Sequence, residues 1–149
     1  MNDLSLMVRL IPLDHGLGVL STARPGGGIQ SSLVSTGVLA HPVTGVEVVG
    51  LVAAGGTQKL RNLRADQRAT IVVRAGWEWA AAEGVAELIG PDDPNDAIDD
   101  EALRMLLQDV FRAAGGDHDS WDTYDAVMRE ERRAAVLITP QRTYGNAAS

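Results

Sequence analysis

Three tight turns limit what this chain can fold into. Arg24-Pro25-Gly26-Gly27-Gly28 separates apolar runs at residues 17–23 and 29–36. His41-Pro42 leads to Gly45 and a third run at residues 46–53, and Gly76 separates residues 69–74 from 77–89. Proline fixes φ and glycine supplies positive φ, so each stretch reverses the chain. Strands joined this closely pair antiparallel, and five in succession predict a closed or nearly closed barrel. Residues 46–53 are almost all apolar, as in a strand covered on both faces. In the fifth run the alternation falters at Glu83-Gly84, where a bulge is expected. Gly90-Pro91-Asp92-Asp93-Pro94 closes the block.

Composition then changes. Residues 92–131 hold thirteen of the twenty acids. Leu103, Leu106, Leu107, Val110, Phe111 and Ala114 make one helical stripe, with Asp99 or Asp100 as N-cap and Gly115 just past the C-terminus. A second helix is predicted from Asp119 or Ser120, with Trp121, Tyr124, Val127 and Met128 on its buried side. Residues 134–139 return to a β pattern, Pro140 interrupts it, and residues 142–145 give a last short strand. Residues 4–13 read as a short irregular helix or an extended arm broken by Pro12. The fold class expected is α+β, mainly β, in one domain over residues 1–149.

No stretch of eighteen apolar residues is present, and the N-terminus lacks the basic and apolar regions of a secretion signal. The absence of cysteine excludes disulfides and thiolate chemistry, and makes the cytoplasm the expected location. A net charge of −7 argues against nucleic acid and anionic membrane as partners, so an anionic ligand would need a local basic pocket.

One stretch offers such a pocket. Gly55-Gly56-Thr57-Gln58-Lys59 opens a short helix, and residues 59–74 carry five cations against one acid. Paired glycines let backbone N–H groups converge, and a helix start adds unpaired donors. The same residues also suit a solvated turn with ordinary surface arginines. Elsewhere the chemistry is weaker. His15, His41 and His118 lack ligand spacing; Asp117, Asp119 and Asp122 around His118 suit a helix start as well as a hard cation, and no metal is expected. Glu83 and Glu87 could do acid–base work or face solvent on a strand. Neither glycine stretch is a nucleotide-hydrolase loop, and Ser31 and Ser32 lie on a strand, not a nucleophile elbow. Trp77 and Trp79, two apart, predict one strand face, packed in a core or dimer or walling a planar ring.

Residues 17–23, the turn, Gln30-Ser31-Ser32, and then Gly56-Thr57-Gln58-Lys59-Leu60-Arg61-Asn62-Leu63-Arg64-Ala65-Asp66-Gln67-Arg68-Ala69 together resemble the split β-barrel flavin and deazaflavin oxidoreductases, relatives of pyridoxamine 5′-phosphate oxidase. The Lys-x-Arg-Asn-Leu-Arg segment is similar to that of the actinobacterial branch that uses coenzyme F420. The resemblance runs from about Leu4 to Asn146, and departs where Asp-Gln-Arg replaces the usual Asp-Pro-Arg. It implies an antiparallel split barrel with a helical insertion at about residues 96–133. It implies a homodimer with the cofactor at the subunit interface and a small-molecule substrate. Lys59, Arg61 and Asn62, with Thr57 beside them, match the segment that holds the cofactor phosphate, and Gln30, Ser31 and Ser32 match the strand edge beside its ring. Arg64 and Arg68 add cations that suit the carboxylates of the F420 tail. The expected activity is hydride transfer from reduced F420 to an organic acceptor. The cofactor carries the chemistry, and no catalytic residue is assigned. FMN in the same barrel, or a non-catalytic protein that binds deazaflavin, haem or a tetrapyrrole, are the alternatives.

Overall fold

A computed structural model describes residues 3–146. Six strands form one closed antiparallel barrel in the order β1-β2-β3-β6-β5-β4. They are β1 (Leu17–Ala23), β2 (Ile29–Ala40), β3 (Glu47–Ala53), β4 (Arg68–Ala75), β5 (Glu78–Ile89) and β6 (Ala134–Gly145). Helices α1 (Ser5–Leu10) and α2 (Gln58–Ala65) fill the barrel's openings, and α3 (Asp100–Ala113) and α4 (Trp121–Glu130) lie outside it. Residues 5–14 are therefore helical, α1 running into a short 3₁₀ turn (Ile11–Asp14) that contains Pro12.

Two strands are longer than their sequence suggests. β2 continues through Gly37 to Ala40, because Gly37 lets the C-terminal turn of α3 lie on the strand. A Cβ there would stand 2.2 Å from the Ala113 carbonyl carbon. β6 runs through Pro140, which sits opposite Gly84 at the bulge, where the register shifts between Glu83 and Gly84. A bulge tolerates the missing N–H of proline. A Cβ on Gly84 would meet the Thr139 carbonyl oxygen at 1.9 Å, so the residue opposite the bulge must be glycine.

The core has two layers. Leu20, Leu51, Ile71, Val136 and Ile138 fill the barrel, capped by Met7 and Leu10 of α1 and by Leu60 and Leu63 of α2. Outside, Val48, Ile89, Ala135 and Leu137 of β3, β5 and β6 pack under Leu106, Leu107 and Val110 of α3 and Tyr124 of α4. This second layer explains why residues 48–53 are apolar on both faces. Asp99 caps α3 by accepting from the Ala102 N–H at 2.8 Å, and Ser120 caps α4. On α4 the buried positions are Tyr124 and Asp125. Val127 is exposed, since the helix turns its Asp125 edge toward Arg104 and Gln108 of α3.

The helices cover only half of the barrel wall. On β1 and β2, Val19 pairs with Leu33, and Val19 also pairs with Val72 of β4. Val19 and Leu33 are exposed there, and Leu33 keeps 68% of its surface in solvent.

Candidate functional site

The β1–β2 hairpin and α2 meet at one mouth of the barrel. The register sets Thr22 opposite Gln30, Ser21 opposite Ser31 and Leu20 opposite Ser32. The pleat therefore divides the three β2 residues. Gln30 and Ser32 share the inner face with Thr22 and Leu20, while Ser31 points outward and shares a 2.9 Å hydrogen bond with Ser21.

Asn62 joins the hairpin to the helix. It is fully buried, and its amide donates to the Thr22 hydroxyl and to Gln30 Oε1, both at 3.1 Å. Its Oδ1 accepts from Gln58 Nε2 at 2.7 Å. Gln58 Oε1 in turn accepts from Arg61 Nη2 at 2.8 Å, and Arg61 Nη1 donates to the Gly56 carbonyl. One polar chain thus runs from the barrel interior to a surface guanidinium. It holds Arg61 folded over the Gly55-Gly56 turn. Asn62 itself reaches no solvent; its place in the site is to fix the parts that do.

Thr57 is the N-cap residue of α2, in extended conformation, but its hydroxyl donates backward to the Ala54 carbonyl at 3.0 Å and caps no helix N–H. The first-turn N–H groups of α2 therefore face outward without a side-chain acceptor, beside the Arg61 guanidinium. Gly56 has φ +78°, and a side chain there would meet nothing, so the turn is open to solvent. Lys59, half-buried on the first turn, makes no hydrogen bond or ion pair among the described residues. Lys59, Arg61 and the open helix start are thus brought together, and they suit an anionic group: a point charge, a fork and backbone donors.

The other cations of the stretch are engaged. Arg64 grips Asp93 with two bonds, Nε to Oδ1 at 2.9 Å and Nη2 to Oδ2 at 2.7 Å. Arg68 grips Asp66, and its hydrogen bonds hold the Asp66 carboxyl down to about 2. Arg74 Nε donates to the Gly76 carbonyl. Arg64 therefore anchors the 90–94 loop to α2, and neither it nor Arg68 offers an uncompensated charge.

Glu83 accepts from the Tyr144 hydroxyl at 2.7 Å, and Glu87 accepts from His41 Nε2 at 2.7 Å and from Asn95. His41 Nδ1 accepts from the N–H groups of Val43 and Thr44, which fixes the tautomer that donates through Nε2. Glu83 thus ties β5 to β6, and Glu87 braces the turn at His41 and the loop at Asn95. His118 accepts from the Ser120 N–H and lies against Trp121 and Tyr124. Trp77 and Trp79 do not share a strand face. Trp77 is in the β4–β5 turn with 93% of its surface exposed, whereas Trp79, on β5, meets Tyr144 edge to face.

Thr22 was not evident in the sequence as part of the site, and Gln58 and Gly56 stood in the expected anion seat without the bonds they make to Asn62 and Arg61. Gln58 and Asn62 stand four apart on a helix, the spacing of a Gln–Asn pair, and this is the signal that could have found them.

Solved structures share this arrangement of strands. An F420 reductase matches with a TM-score of 0.56 at 18% identity, over 86% of this chain and 88% of its own. A pyridoxamine 5′-phosphate oxidase-related FMN-binding protein from Nostoc punctiforme matches with a TM-score of 0.68 at 12% identity, over 93% of this chain and 78% of its own. The fold is the split β-barrel of the pyridoxamine 5′-phosphate oxidase type. A haem-binding protein from Mycobacterium smegmatis also has it, with a TM-score of 0.62 at 19% identity; 98% of this chain is covered, but the split barrel here spans only 55% of that protein. No family model matches the chain.

Proposed function

We propose that this split barrel is a cytoplasmic oxidoreductase that binds coenzyme F420 at the mouth formed by α2 and the β1–β2 hairpin, and works as a homodimer. The observation that carries the proposal is the start of α2: N–H groups with no side-chain cap, Lys59 without an acid partner among the described residues, and Arg61 held over an open glycine turn by Gln58. Such a seat fits a phosphodiester. When bound, reduced F420 supplies a hydride to an organic acceptor. The residues of this chain bind and orient: Lys59 and Arg61 neutralise the phosphate, and Gln30 and Ser32 offer polar groups along the inner strand edge beside it. Asn62 keeps hairpin and helix in register, and Ser31 faces the wall where a second copy would close the groove. The proton that balances hydride addition to the acceptor comes from solvent at the open mouth, and no side chain is assigned to it.

FMN is the second reading, favoured by one observation. With Arg64 held by Asp93 and Arg68 by Asp66, few free cations remain for the several carboxylates of an F420 tail, whereas the single phosphate of FMN needs only the seat itself. The test is titration with oxidised F420 and separately with FMN, followed by tryptophan quenching. Micromolar binding of F420 alone supports the deazaflavin reading and FMN preference selects the flavin. Binding of neither removes the enzyme assignment.

A further inference from the structure

We propose a second ligand site, for a small monoanion with an apolar body, in the cleft between α3, α4 and the 90–98 loop. The cleft has a volume of about 630 Å³, within the range of small-molecule sites. Its floor is apolar, built from Ile98, Leu103, Leu107 and Met128. The charges on its rim are mostly spent on one another or on neighbours. Glu101 and Asp125 hold Arg104, Asp92 holds Arg132, and Glu131 holds Arg133. Asp99 is used as the α3 N-cap. Arg129 and Asp100 are left without an ion pair among the described residues. Asp100 lies in the first turn of α3, where the helix's partial positive charge offsets it. Arg129 lies in the last turn of α4, where the helix's partial negative charge favours it likewise; it is the rim guanidinium that no acid holds among the described residues, and a carboxylate is the group that matches its fork.

An occupant places its chain over Leu103, Leu107 and Met128 and its carboxylate on Arg129. This cleft shares no residue with the α2 seat, so the two sites stand or fall separately.

Octanoate is the probe. In the full chain carrying ¹³C-methyl methionine, with the Met128 signal assigned by Met128→Leu, octanoate should shift the Met128 methyl saturably. The Met7 methyl, inside the barrel, should stay in place. Arg129→Gln, at an exposed position where folding is not at stake, should weaken octanoate binding about tenfold. Octan-1-ol should bind correspondingly weakly. No shift at millimolar octanoate, equal affinity in Arg129→Gln, or tighter binding of octylamine than of octanoate would each overturn the proposal.

Discussion

Lys59 and Asn62 lie three positions apart on one short helix, on neighbouring sides of it, yet Asn62 is buried and Lys59 only half-buried. Lys59 has no hydrogen-bond or ion-pair partner among the described residues, so truncating it removes a charge and breaks no bond. Lys59→Ala should leave the melting temperature within a degree or two and weaken cofactor binding by about 1–3 kcal/mol, the scale of a charge-assisted hydrogen bond. A titration showing wild-type affinity would take Lys59 out of the site. Asn62 is enclosed and spends its amide on Thr22, Gln30 and Gln58. Asn62→Leu keeps the volume but strands three polar groups, each of which loses its partner inside or at the rim of the barrel. A loss of about 1–3 kcal/mol in urea unfolding is expected, together with weaker cofactor binding because Gln58 no longer steadies Arg61. Unchanged stability would show that the polar chain is ornamental.

At the scale of elements, the Tyr124 phenol joins the bonds from Arg104 and Gln108 to Asp125 in holding α4 to α3. The Tyr124 hydroxyl donates to the Leu107 carbonyl at 2.9 Å, and burial pushes its ionisation up to about 12. Since the folded value lies above the ordinary value near 10, the contribution is complete below pH 10 and is lost as pH rises through 12. The urea midpoint of the wild type should therefore fall between pH 10 and 12, and Tyr124→Phe should remove much of that fall while costing roughly 1 kcal/mol at neutral pH. A slope identical in the two proteins would place the alkaline sensitivity elsewhere. The elements themselves were largely legible from turn chemistry and spacing. Arg24 to Gly28, Gly76, the Asp99 cap, Gly115 and the bulge at Glu83-Gly84 all carry local backbone signals. The errors came where a distant element decides the outcome. β2 passes Gly37 because α3 lies on it, and β6 passes Pro140 because β6 itself bulges at Gln141, between the partners of Glu83 and Gly84. α4 buries Asp125 because Arg104 and Gln108 wait for it. At the site, the cluster at the start of α2 was visible as composition. The pairing of Arg64 with Asp93 turned on loop placement that spacing does not encode, whereas Arg68 and Asp66 pair two positions apart.

For the whole molecule, the unequal cover of the barrel sets the question. β3, β5 and β6 bury their outer side chains under α3 and α4, but β1 and the first half of β2 present Val19, Ile29 and Leu33 to solvent, with Trp77 on the β4–β5 turn. A wall of that kind is what a monomer avoids and a second copy would cover. The polar mouth at α2 opens beside it, so pairing two walls would also shield the cofactor groove from water. Leu33 is the residue on which to test this. It points away from the barrel core, and Leu33→Asp should leave the fold and melting behaviour of the isolated chain intact. Sedimentation velocity should show a dimer for the wild type and a monomer for Leu33→Asp, and the variant should bind cofactor at least tenfold more weakly if the partner completes the groove. A wild type that sediments as a monomer at micromolar concentration would leave the exposed wall for another partner and make the site at α2 self-sufficient.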